Sequence, residues 1–87
     1  MITLALPAVL RPFAGGAERV EVEAATVGAA LAATTPALRR RLTDEQGAVR
    51  RHVNIYLGSD NIRDLAGPDT PLADGDTLLI LPSVAGG

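Results

Sequence analysis

The chain has no cysteine and no lysine. Without thiols it forms no disulfide, presents no thiolate nucleophile and builds no cysteine-based metal site. That absence fits a reducing compartment, and the cytoplasm is the expected location. All eight basic residues are arginine. Hence no side-chain amine is available to capture an activated acyl group formed on the same protein. His52 is the single histidine, which excludes a multi-histidine metal cage. Tryptophan is absent, and Phe13 and Tyr56 are the only aromatics. The core must therefore be aliphatic, and a nucleic-acid site built on base stacking has little to work with. A net charge of -2 gives no strong attraction to nucleic acid or an anionic membrane. The apolar stretch 2–10 is too short to span a bilayer. It is broken by Pro7 and lacks a basic start, so it does not read as a targeting segment.

What is present is enough for one small domain: 87 residues, of which 47% are hydrophobic. Residues 2–6 alternate, with Ile2, Leu4 and Leu6 on one face, as a half-buried strand requires. Residues 18–24 alternate again, Val20 and Val22 inward against Arg19, Glu21 and Glu23. Pro12 and Gly15-Gly16 between them read as a hairpin loop. Thr26 is placed to cap a helix over 27–35, with Val27, Ala30, Leu31 and Thr34 on one face. Thr35-Pro36 reads as a second helix start, followed by Leu38 and Leu42 facing inward. Residues 43–50 are polar and read as loop.

A third strand is expected over 52–57, with Val53, Ile55 and Leu57 on one face and His52, Asn54 and Tyr56 on the other. Gly58-Ser59-Asp60 is a turn, after which Ile62 begins a short return strand. Residues 63–73 hold Gly67, Pro68 and Pro71 and read as irregular. Asp74-Gly75-Asp76 is a tight turn. It launches Thr77-Leu78-Leu79-Ile80-Leu81, an apolar run suited to a central strand covered at least partly on both faces. Strand, strand, helix, short helix, strand, strand gives an α+β fold of the β-grasp (ubiquitin-like) kind. Its mixed sheet carries one main helix on one face. The domain is expected over 1–82, with 83–87 as a flexible tail ending in Gly86-Gly87. Paired glycines make a thin segment able to thread a narrow enzyme channel. They also leave the last carboxylate uncrowded.

The strand Val53-Asn54-Ile55-Tyr56-Leu57, the turn Leu72-Ala73-Asp74-Gly75-Asp76, the strand 78–82 and the end Val84-Ala85-Gly86-Gly87 together resemble the MoaD/ThiS family. These are ubiquitin-like sulfur carriers. The first loop, with Leu10-Arg11-Pro12 and Gly15-Gly16, is similar to the CysO-type carriers of cysteine biosynthesis. The resemblance spans the whole chain and implies a mechanism. An activating enzyme adenylates the carboxylate of Gly87, and a sulfur donor converts it to a thiocarboxylate. That group then gives sulfide to an acceptor. Val84, Ala85 and Gly86 thread the partner channel. The chain itself is a cosubstrate, not an enzyme, and binds no cofactor. ATP and magnesium belong to the activating enzyme and PLP to a cysteine synthase that holds the acceptor. A metalloprotease then releases cysteine. Rival readings are the small subunit of molybdopterin synthase with its large-subunit partner, a thiamine-pathway carrier, and a ubiquitin-like modifier.

Leu79 and Leu81 point away from Leu78 and Ile80, so they form a candidate aliphatic docking patch, which Tyr56 can join. A covering by neighbouring loops is the alternative. His52 reads as a structural or solvent-facing histidine. Arg39-Arg40-Arg41 with Arg50-Arg51 reads as a solvated helix end. Asp74 and Asp76 read as turn formers, without the remaining ligands of a calcium loop.

Overall fold

The computed structural model describes residues 1–82. Five strands form one mixed sheet: β1 (Ile2–Ala5), β2 (Arg19–Val22), β3 (Val53–Leu57), β4 (Asp60–Asn61) and β5 (Thr77–Pro82). Their order is β2-β1-β5-β3-β4. The final strand therefore lies in the middle. It runs parallel to β1 and antiparallel to β3. A parallel neighbour needs a crossover, and helices α1 (Val27–Ala32) and α2 (Pro36–Leu42) lie in the segment between. This is the expected β-grasp architecture.

The alternation read from the sequence decides which way β1, β2 and β3 face, and packing against the helices decides it for β5. Ile2, Leu4, Val22, Val53, Ile55, Leu78 and Ile80 are buried on the helical face. Val27, Ala30 and Leu31 of α1, with Leu38 and Leu42 of α2, pack onto them in one aliphatic cluster. Leu4 sits beside Leu78, and Ile55 opposite Ile80. Burying a side chain of this size contributes about 1.5–3 kcal/mol.

Both helix caps form as expected. The Thr26 hydroxyl accepts from the Ala29 N–H at 3.2 Å and the Thr35 hydroxyl from the Leu38 N–H at 3.3 Å. Four details differ from the sequence reading. First, no single main helix forms: α1 spans six residues and α2 seven. The helix ends at Ala32 rather than at residue 35, because Pro36 disfavours helical backbone at Thr35. Thr34 instead donates its hydroxyl to Leu31 O at 2.6 Å. Second, the first loop contains a 3₁₀ segment, Ala8–Ala14, that buries Leu10. Pro12 lies inside it and donates no backbone N–H there. Third, the return strand is Asp60–Asn61, and Ile62 begins a short 3₁₀ turn with its side chain in the core. Fourth, β5 is covered on one face only, since Leu79 is 42% and Leu81 39% exposed.

The turn before β5 forms as read. Gly75 has φ +90°, a region closed to most side chains. The Asp76 carboxylate accepts from the Ala73 N–H at 2.8 Å.

Candidate functional site: the open sheet face and the end of β5

Because β5 is central, its outward side chains sit in the middle of the uncovered face. Registers across the sheet align Arg19, Ala5, Leu79, Tyr56 and Asn61 as one row across all five strands. Tyr56 is thus the direct cross-strand neighbour of Leu79, and Asn54 that of Leu81. The three residues read as a docking patch, Leu79, Leu81 and Tyr56, are brought together on this face. Tyr56 is half-buried and the two leucines are exposed. Two adjacent exposed leucines with a tyrosine beside them make a small apolar island suited to a protein partner.

The edge of this face is held by Arg63, which the sequence reading did not single out. Its guanidinium donates to Arg50 O at 2.8 Å, Val53 O at 2.7 Å and the Asn54 side-chain oxygen at 2.8 Å. Asn61 donates to the same Asn54 oxygen at 3.3 Å. A planar fork suits several acceptors at once. This clamp fixes the start of β3, where Val53 pairs with Pro82, the last described residue. No local sequence signal marks an arginine that binds carbonyls ten residues away.

At the other end of β5, Asp74 has a second role besides its turn. Its carboxylate accepts from the Met1 ammonium, with Glu23 3.5 Å from the same group. The hydrogen bond to Asp74 raises the ammonium pKa, and the same contact lowers that of Asp74. Arg39, Arg40 and Arg41 lie on α2, Arg50, Arg51 and His52 precede β3, and Arg40, Arg41, Arg50 and His52 line a groove with Phe13 and Ala37. Among the described residues, no group of three or more His, Asp or Glu side chains could hold a metal ion. Among them no helix is long and apolar enough to cross a membrane. Gly87, Gly86, Ala85 and Val84 lie outside the described residues.

The sequence profile of the ThiS family matches residues 4–87, so the match runs through the last glycine. The chain belongs to the ThiS family. It is 38% identical over 91 residues to the sulfur carrier protein CysO of Mycobacterium tuberculosis, covering 99% of this chain and 98% of that one. The crystal structure of Mycobacterium tuberculosis CysO superposes with a TM-score of 0.83 at 34% identity, covering 97% of this chain and all of that one, 100%. A chain of the Amycolatopsis orientalis BexX/CysO complex gives 0.80 at 33% identity, with 100% of both chains covered. Small archaeal modifier protein 1 of Methanosarcina acetivorans gives 0.81 at 33%, covering 99% of this chain and 95% of that one. As a ThiS-family member the chain carries the β-grasp sheet with its last strand central. That position places Pro82 at the sheet boundary, next to residues 83–87.

Proposed function

We propose that this chain is a sulfur carrier of cysteine biosynthesis that acts as a cosubstrate, with Gly87 as its reacting residue. The observation that carries the reading is the 38% identity with CysO over 99% of the chain, beside a family profile that matches through residue 87. A carboxylate is a poor electrophile. On an activating enzyme with ATP and magnesium, a Gly87 carboxylate oxygen attacks the α-phosphorus and pyrophosphate leaves. Sulfide from the donor then attacks the acyl carbon and AMP leaves, which gives a thiocarboxylate. Its sulfur bonds to the β-carbon of an activated serine derivative held by a PLP enzyme as that derivative's leaving group departs; an S-to-N acyl shift and hydrolysis by a metalloprotease then free cysteine and restore the Gly87 carboxylate. Gly86, lacking a side chain, and the small Ala85, with Val84 before them, suit threading into the activating enzyme's channel.

The open face offers the activating enzyme its docking surface, through exposed Leu79 and Leu81 with half-buried Tyr56 beside them. The Amycolatopsis orientalis BexX/CysO complex shows a CysO chain with a second protein, which supports a docking step. Similarity to small archaeal modifier proteins favours a second reading, in which Gly87 forms an amide with a target.

Intact mass of the protein purified with its activating enzyme and a sulfur donor separates the two. Replacement of one oxygen by sulfur is expected, and deletion of Gly87 abolishes it. An unmodified mass together with Gly-Gly remnants on lysines of other proteins would overturn the carrier reading in favour of the modifier.

A further inference from the structure

Charge is distributed unevenly over this acidic chain. Residues 36–52 hold five of the eight arginines but two of the ten carboxylates, Asp44 and Glu45. The remaining seventy residues are therefore strongly acidic, and the positive charge is gathered on the α2 side of the molecule. There the 3₁₀ segment, α2 and the start of β3 enclose a groove of about 410 Å³. Its lining is Phe13, Ala37, Arg40, Arg41, Arg50 and His52. Four of these six can carry positive charge and none is acidic. The adjoining cleft, about 460 Å³, shares Arg40 and Arg50 but also contains Asp44 and Glu45, so it supplies its own counter-charge. Asp44 is moreover turned back onto the Gln46 and Ala48 N–H groups at 2.8 and 3.0 Å.

The groove is also partly ordered in advance. The Arg41 guanidinium lies over the Phe13 ring, 4.4 Å from its centroid, a cation–π arrangement that holds its plane. Arg50 donates its Nε–H to Arg40 O at 2.7 Å, which aims its terminal nitrogens without spending them. The backbone that carries Arg50 and leads to His52 is fixed by the Arg63 clamp. Among the described residues, the terminal nitrogens of Arg40, Arg41 and Arg50 make no ion pair or hydrogen bond. Three guanidiniums held within one small concavity repel each other, and a bound anion with several oxygens relieves that repulsion. Their planar forks match phosphate oxygens bidentately. Phe13 and Ala37 give the groove an apolar wall that suits the non-ionic part of a phosphate ester.

We propose that this groove is an oxyanion site that takes a compound with two or more phosphates, either free pyrophosphate or a nucleoside polyphosphate. It is separate from the open sheet face, which lies on the other side of the sheet. It does not depend on the reaction of Gly87.

The test is a titration of the full chain at low ionic strength, read by amide and arginine Nε signals and by the ring protons of the sole histidine. Pyrophosphate and ATP are the two probes. Saturable shifts confined to Phe13, Arg40, Arg41, Arg50 and His52 are expected. Equal affinity for both probes assigns the site to the diphosphate alone. Tighter ATP binding with larger Phe13 ring shifts assigns it to a nucleotide. The exposed pair Arg40→Gln/Arg41→Gln should weaken binding by at least about tenfold, as loss of charge-assisted contacts predicts. Arg19→Gln, on distant β2, should leave it unchanged. If the double variant loses its folded spectrum, Arg40→Gln alone replaces it and should still weaken binding. Shifts spread over all arginines without saturation would overturn the site. So would equal binding by the groove variants, or binding of an acidic peptide where neither phosphate probe binds.

Discussion

Tyr56 and Leu79 are direct cross-strand partners on the uncovered face of the sheet, while Ile55 and Ile80, one position along each strand, face each other inside the core. One step in sequence therefore separates an exposed apolar surface from the packing that holds the fold.

That contrast is testable with two neighbouring substitutions. Leu79→Asp should melt within a few degrees of the parent, because the side chain is already 42% exposed. It should lose sulfur loading by the activating enzyme. Ile80→Ala, at a site with no exposure, should cost about 2–5 kcal/mol. Denaturant unfolding and intact mass after activation read both outcomes. Collapse of the Leu79→Asp fold would show that this side chain is core.

Gly28 marks a close approach. A Cβ there would lie 3.1 Å from Pro68 O and 3.3 Å from Pro68 Cβ. Gly28→Val should destabilise by about 1–3 kcal/mol, since α1 must move off the 3₁₀ turn Gly67–Asp69. Equilibrium unfolding measures it. A gain in stability, as expected from helix propensity alone, would mean that the turn yields freely.

Arg63 anchors the start of β3 through three acceptors. Arg63→Gln should cost about 1.5–3 kcal/mol, the range for hydrogen bonds from a charged donor, at its lower end because the residue is exposed. Hydrogen exchange should speed up at Val53 and the residues next to it while Leu4 and Leu78 stay protected. Uniform acceleration across the sheet would argue for global loss instead of a local clamp.

The Met1–Asp74 contact predicts a pH window. The carboxyl of Asp74 is lowered from its ordinary 3.8, so its contribution is present above that value and is lost as pH falls through the folded value. The ammonium is raised from 8.0, so its contribution is complete below 8.0 and is lost as pH rises through the folded value. Both groups are exposed, so the effect is small and salt-sensitive. The melting difference between the parent and Asp74→Asn should peak between these limits and vanish outside them. It should also shrink in high salt.

The sequence determined the strands and their facing because alternation is a local property. Ile2 and Leu4 on β1, and Val53 and Ile55 on β3, had to turn one way, because Thr3 and Asn54 stand between them. It also determined both helix starts, since Thr26, Thr35 and Pro36 act within three residues. The Gly-Gly end, on which the functional reading turns, is pure sequence. Only tertiary structure decided that β5 is open on one face, because a run such as Leu78-Leu79-Ile80-Leu81 has no alternation to report it. Cover depends on where distant elements pack, and α1 and α2 lie on one side alone. The Arg63 clamp, the row from Arg19 to Asn61 and the gathering of Phe13 with three arginines and His52 were decided in the same way. Each joins residues far apart in the chain, and no local preference records such a meeting.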